Sequence, residues 1–268
     1  MTVTLDRSDD GTVATLRFDG EHPLNVLDVE TLEALLARVR EVAADRAVRV
    51  LALTGRDDVF SDGADLTHLA ALDDDAYRHY LATEYTLFAE LEDLPLVTVA
   101  VIAGACVGNG AEMALCCDFR LCSTGTRIGL PEMRVGFVSP AQRLARLVGM
   151  GRAKEILYGG RLLPAAEALD LGLVTAVADD LAAEAGRATA RYAAFSPYAL
   201  PFTKAGVHRA YGLDPGTGAR PFDHLEQAAA FATFRGPDFA EGKDAALAGR
   251  RPAFTSQRPA STDLGGTP

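Results

Sequence analysis

The sequence predicts an α/β protein. Two short, almost wholly apolar runs, "VRVLALTG" (Val48 to Gly55) and "VTVAVIAG" (Val97 to Gly104), each end in Gly and lead through a loop into a helix. Each is also preceded by a long amphipathic helical stretch. Apolar runs of that kind suit strands buried on both faces, and in α/β proteins functional groups collect where such strands end and helices begin.

In chain order, residues 2 to 18 read as two strands with a turn at "RSDDG". A helix begins near Asp28, a plausible N-cap, and places Leu32, Leu35, Leu36, Val39 and Val42 on one face. The strand at Val48 to Gly55 gives way to the polar loop "RDDVFSDGADL" and then to a helical stretch reaching about Leu91. The strand at Val97 to Gly104 leads to a second Gly-bearing loop and helix, and "DFRLCST" and "RIGLPEM" read as further short strands. From Ser139 the pattern is helical almost to the end, with a soft boundary near Ser196 and Pro197 that divides a core, 1–196, from a C-terminal segment, 197–268. The tail "STDLGGTP" has the composition of a disordered end.

Composition narrows the function. The net charge of −11 argues against a protein that coats nucleic acid or an anionic membrane, either of which needs a broad basic face. Apolar stretches are interrupted well before the roughly 20 residues of a membrane span, and the N-terminus lacks the pattern of an export signal. Cys106, Cys116, Cys117 and Cys122 form no C-x-x-C pair, so they read as small buried hydrophobes in a reducing, cytoplasmic setting. The scattered His residues lack ligand spacing, and no metal is expected.

One residue stands out. Glu112 lies alone in the apolar run "VTVAVIAGACVGNGAEMALCCDFRL", where an isolated buried carboxylate would cost several kcal/mol. The neighbouring "GNGAEM" has Met113 where a dinucleotide-binding loop needs its third Gly, and no phosphate loop, H-E-x-x-H or G-x-S-x-G motif occurs. Two backbone features remain, Gly63-Ala64 after "FSD" and Gly108-Asn109-Gly110 before Glu112, both at strand-to-helix transitions. Free N–H groups at such turns can grip a carbonyl oxygen, although each turn taken alone reads first as an ordinary βα turn.

The chain resembles the crotonase (enoyl-CoA hydratase/isomerase) superfamily. "GRDDVFSDGADLTHL" is similar to the family's G-x-x-x-x-F-[SA]-x-G-[AH]-D-[LI] loop, and "GACVGNGAEMALCCDFRL" to its G-x-x-x-G-[GA]-G-x-[ED]-L-A-x-x-C-D element. "IGLPEMRVGFVSPAQRLARLVG" resembles its P-E-x-x-x-G segment followed by Q-R-L, and "GGRLLPAAEALDLGLV" and "AEGKDAALAGRRPAF" resemble later family segments.

The resemblance implies a spiral of ββα units followed by C-terminal helices that build trimers, often paired into hexamers. It implies an oxyanion hole from the N–H groups of Ala64 and Asn109 around an acyl-CoA thioester, with Glu112 and Glu132 as paired general acid and base. It places acyl-CoA contacts at Ser61, Gly63, Ala64, Asp65, Leu66 and Gly108, and candidate phosphate contacts at Lys204, Arg250 and Arg251. No cofactor beyond the substrate's own coenzyme A is implied. The favoured reaction is hydration of a 2-enoyl-CoA; the alternatives are isomerisation, dehydration, C–C or thioester cleavage, and silent acyl-CoA binding. Two departures mark this chain: Phe137, Val138, Ser139 and Pro140 replace a Gly-rich loop after Gly136, and Asn109 stands where the family usually has Gly or Ala.

Overall fold

A computed structural model describes residues 2–135, 141–210, 238, 241, 245, 248, 250 and 252–257. The loop 136–140, the segment 211–237 containing "LEQAAAFATF", the tail and Arg251 lie outside these residues.

The chain opens with an antiparallel hairpin, β1 (Thr2–Arg7) and β2 (Val13–Asp19), followed by α1 (Val29–Ala44). Asp28 caps that helix by accepting from Thr31 N, as its position in sequence predicts. Three consecutive strand pairs then alternate between two sheets. β3 (Val50–Thr54) is followed by β4 (Val59–Ser61) and by helices α2 (Leu66–Ala71) and α3 (Asp74–Glu92). β5 (Val97–Ile102) is followed by β6 (Ala105–Val107) and α4 (Asn109–Leu115). β7 (Phe119–Ser123) is followed by β8 (Arg127–Gly129), a 3-10 turn at Glu132–Val135, and α5 (Ala141–Val148). Beyond these come α6 (Met150–Gly159), β9 (Leu163–Pro164), α7 (Ala165–Asp170), β10 (Ala176–Ala178), α8 (Leu181–Ala193) and α9 (Ala199–Arg209).

One sheet runs β1-β2-β3-β5-β7-β10 and the other β4-β6-β8-β9, so each turn of the spiral adds one strand to each sheet. The β2/β3, β3/β5 and β5/β7 pairs are parallel. Both faces of the larger sheet are covered. Leu51, Leu53, Ala100, Ile102 and Cys122 face the main core with α1 and α3, while Val50, Val97, Val99 and Leu121 pack with Ala188 and Tyr192 of α8. This two-sided cover explains why these strands read as unbroken apolar runs instead of alternating.

The sequence reading needs three corrections. β4 and β6 lie in stretches read as loops, and β9 and β10 interrupt the region read as helical. Strands of two or three residues are too short for a period-two pattern to show, and pairing with neighbouring strands determines them. The single helical stretch before Leu91 is two helices, because Asp73 starts a new one by accepting from Ala76 N.

Past Ser196 the chain remains tied to the core. Asp238 Oδ2 accepts from Ser196 Oγ at 2.5 Å and from Ser256 Oγ at 2.7 Å. Arg49 donates to Ala193 O at 3.2 Å and to Phe254 O at 3.1 Å, bringing the end of α8 and the 252–257 stretch to one side chain.

Candidate active site

The two glycine turns abut. Gly63 follows β4 with φ +85, a region that L residues rarely adopt, and a Cβ built on it would lie 2.8 Å from Val107 O and 3.0 Å from Asn109 N. Any side chain at Gly63 would therefore push the Gly108 turn away. On the other side Gly108, with φ +54, is fixed by donating to Gly129 O at 3.0 Å. Neither Ala64 N–H nor Asn109 N–H finds a backbone acceptor among the described residues. Two neighbouring N–H groups of this kind, one opening α4, suit an oxygen that carries or develops negative charge.

Two predicted carboxylates flank the Gly108 turn. Glu132 comes from the 3-10 turn after β8, and its Oε1 lies 3.5 Å from the position a Cβ on Gly108 would take. Glu112 lies in the first turn of α4, its side chain 13% exposed, and accepts from Arg143 of α5 at 2.7 Å. That ion pair answers the question posed by an acid in an apolar run. Burial pushes the Glu112 carboxyl above its ordinary value, Arg143 pulls it back down, and the nearby Glu132 charge adds to the upward push. Arg143 is shared, with its Nε on Glu92 at 3.2 Å, while Arg146 donates to the other Glu92 oxygen at 2.6 Å.

The sequence reading missed a third carboxylate. Glu84 of α3 is 6% exposed and accepts from Asn109 Nδ2, whose other hydrogen goes to Tyr80 Oη at 3.2 Å. Tyr80 Oη donates to Leu27 O at 3.1 Å. Burial pushes the Glu84 carboxyl up to about 7, and the charge on Glu112 adds to it. Its signal was the same as that of Glu112: Tyr80, Glu84, Phe88 and Leu91 share the buried stripe of α3, and an acid occupies a core position. Arg143 was visible only as the Arg of "QRL".

Of the other predicted contacts, Ser61 is buried and accepts from Gly63 N at 3.1 Å, shaping the first turn. Asp65 accepts from His68 N at 3.1 Å and so starts α2, where Leu66 is the first helical residue. Lys204, proposed for phosphate, is internal: its side chain is 9% exposed, and its ammonium donates to Asp118 Oδ2 at 3.0 Å and Leu96 O at 3.2 Å. Arg250 is half exposed and forms a two-pronged pair with Glu241. A cavity of about 550 Å³ lies beside α5, α8 and α9, lined in part by Glu92, Cys116, Phe119, Arg143, Tyr192 and Lys204. It reaches the site at the Arg143, Glu92 and Arg146 ion pairs, and its lining includes neither glycine turn. Among the described residues, no group of His, Cys, Asp and Glu could hold a metal, and no helix is long and apolar enough to cross a membrane.

Known proteins resemble this chain over nearly its whole length. The family model for enoyl-CoA hydratase/isomerase matches residues 8–257. YngF of Bacillus subtilis, whose name places it among enoyl-CoA hydratases/isomerases, is 32% identical over 248 residues, 90% of this chain and 94% of its own. The fatty acid oxidation complex subunit alpha of Shewanella frigidimarina is 36% identical over 184 residues, covering 66% of this chain but only 26% of that longer protein. Among solved structures, an enoyl-CoA hydratase from Bacillus anthracis superposes with a TM-score of 0.87 at 30% identity, covering 95% of this chain and 99% of that one. Matching over nearly its full length in sequence and in fold, the chain belongs to the enoyl-CoA hydratase/isomerase family, the crotonase superfamily.

Proposed function

We propose that this acyl-CoA enzyme is a 2-enoyl-CoA hydratase. The observation that carries the reading is the presence of two carboxylates, Glu112 and Glu132, around one glycine turn that offers an N–H with no backbone acceptor among the described residues. The thioester oxygen sits between the N–H groups of Ala64 and Asn109, which stabilise the enolate that forms as water adds. One carboxylate removes a proton from water as its oxygen bonds to C3, and the other carboxyl gives a proton to C2, so that H and OH are added overall. Arg143 offsets part of the burial penalty on the Glu112 charge, and on that ground Glu112 takes the base role and Glu132 the acid role in this reading. The reaction draws on no cofactor beyond the substrate's coenzyme A. Arg250, with Arg251 beside it in sequence, is the proposed phosphate contact, and the segment after Pro197 the proposed trimer interface. Cytoplasmic residence is proposed on cysteine usage.

A second reading has its own support. Because Glu112 is held by Arg143, Glu132 could act alone, removing a proton and returning it elsewhere, which is double-bond isomerisation. The test is turnover of crotonyl-CoA, followed by loss of the enoyl-thioester absorbance with the product identified by mass, set against turnover of a 3-enoyl-CoA. A hydratase converts the first to the 3-hydroxyacyl product. Conversion of the 3-enoyl substrate alone would establish the isomerase.

A further inference from the structure

Hydrogen bonds link the two glycine turns through side chains that touch neither thioester nor water in the proposed reaction. Starting at the first turn, Gly63 O accepts from Leu27 N at 2.8 Å. The carbonyl of the same Leu27 accepts from Tyr80 Oη at 3.1 Å. Tyr80 Oη in turn accepts from Asn109 Nδ2 at 3.2 Å, and the second hydrogen of that amide goes to Glu84 Oε1. Asn109 is the residue whose peptide N–H opens α4, and its peptide nitrogen is the atom 3.0 Å from a notional Gly63 Cβ.

With Glu84 ionised, the polarity of this chain is fixed. A Tyr hydroxyl has one hydrogen, here given to Leu27 O, so towards Asn109 it can only accept. A carboxylate also only accepts. The Asn109 amide must therefore present Nδ2, with both hydrogens used, and the flipped amide would set its oxygen against two acceptors. Tyr80 is 1% exposed and Glu84 6%, so water offers these groups little alternative partnership.

We infer that Tyr80 and Glu84 are positioning residues that act through the Asn109 side chain to hold the Asn109 peptide N–H in register with that of Ala64. The inference rests on the oxyanion reading given above. It also gives a role to Asn109 where a Gly would suffice for the backbone donor alone. A glycine there leaves the N–H on an unanchored turn, whereas the amide ties it to α3 and, through Tyr80 and Leu27, to the opposite donor's turn. Catalysis by fixed donors is sensitive to such placement: a misplacement of about 1 Å can cost about 100-fold in rate.

The test uses the full-length enzyme with its best enoyl-CoA substrate, and butanoyl-CoA isotope-labelled at the thioester carbonyl as a non-reacting infrared probe. Tyr80→Phe and Glu84→Ala are expected to lower kcat by about 10- to 100-fold with KM within about threefold, and to shrink the downshift of the bound carbonyl band. Glu84→Gln, whose side-chain oxygen can still accept from Asn109, is expected to restore kcat to within about threefold of the parent enzyme. Asn109→Gly, which keeps the peptide donor and leaves Tyr80 and Glu84 in place, covers the case in which a core variant fails to fold, and is expected to lose about tenfold in kcat with a similarly weakened band shift. Variants that keep the parental kcat and carbonyl band would overturn the brace while leaving the oxyanion hole standing, and so would a Glu84→Gln as impaired as Glu84→Ala. A parental enzyme that binds the probe with no carbonyl shift would remove the oxyanion reading itself, and the brace with it.

Discussion

The α3 side and the α5 side of the site hold acidic groups by opposite means. On the α3 side Glu84 has only neutral hydrogen-bond partners, and burial, with the Glu112 charge adding to it, pushes it up to about 7. On the α5 side Glu112 has a guanidinium at 2.7 Å, which counters the upward push of burial. Environments that push neighbouring titratable groups apart are what an acid–base site requires, because one group must be charged while another keeps its proton. Glu132, whose Oε1 lies 3.5 Å from a notional Gly108 Cβ, is the third acid beside the turns. Burial alone does not define a role here; the partner does.

Neutralising the acids one at a time has the largest expected effect. In a hydratase, Glu112→Gln and Glu132→Gln should each lower kcat by at least about 100-fold with little change in KM, since Gln keeps the shape but transfers no proton. In an isomerase only Glu132→Gln should do so. Near-parental turnover by both would mean that the Arg143 pair with Glu112 is purely structural.

The next effect is on stability and has a definite sign. The folded value for Glu84 lies above its ordinary 4.5, so between about pH 4.5 and about pH 7 the native state binds more protons than the unfolded chain. The stability contribution of this group is then complete below about pH 4.5 and is lost as pH rises through about 7, by up to about 3 kcal/mol. The groups around it are Tyr80, Asn109, Glu112 and Arg143, with Glu112 raising the value and Arg143 lowering it. Glu84→Gln removes the titration, so calorimetry should find the variant gaining in Tm over the parent between about pH 5 and about pH 8. A gap independent of pH would show that Glu84 does not titrate in that window.

Removing the cation tests the other side. Arg143→Met should cost about 2 kcal/mol, less than a fully buried pair because the site is partly open, and Glu92 keeps Arg146. Glu112 should then be harder to ionise, moving the acidic limb of the kcat/KM profile to higher pH. An unmoved limb would assign that limb to Glu132.

Much of this is legible in the sequence. The paired apolar strands, the Asp28 cap and both glycine turns could be read locally, because caps, turns and doubly buried strands each leave a signal within a few residues. What could not be read depends on contacts distant in sequence. β4 and β6 exist because they pair with each other. Arg143 reaches Glu112 across 31 residues, and Asn109 reaches Glu84 across 25. The acid at a core position of α3 was nonetheless the same signal that singled out Glu112, and Lys204 shows the converse, a charged residue whose type suggested a ligand while its partner lay in its own chain.

Lys204 also supplies the smallest predicted effect and a control for both sides. It joins α9 to the start of β7 through Asp118, whose Oδ2 also accepts from Thr98 N at 2.8 Å and Thr98 Oγ1 at 3.1 Å. Removing the ammonium therefore leaves Asp118 with two donors, so Lys204→Met should cost only about 1 kcal/mol, far below the cost of stranding a bare charge. Because the charge is used inside the chain, coenzyme A affinity at low salt should stay within about twofold of the parent enzyme, and kcat likewise. If titration calorimetry instead found a loss of tenfold or more that faded with added salt, as screened phosphate contacts do, the Asp118 pair would have to open on binding. Lys204 would then return to the phosphate contacts that the family resemblance first suggested.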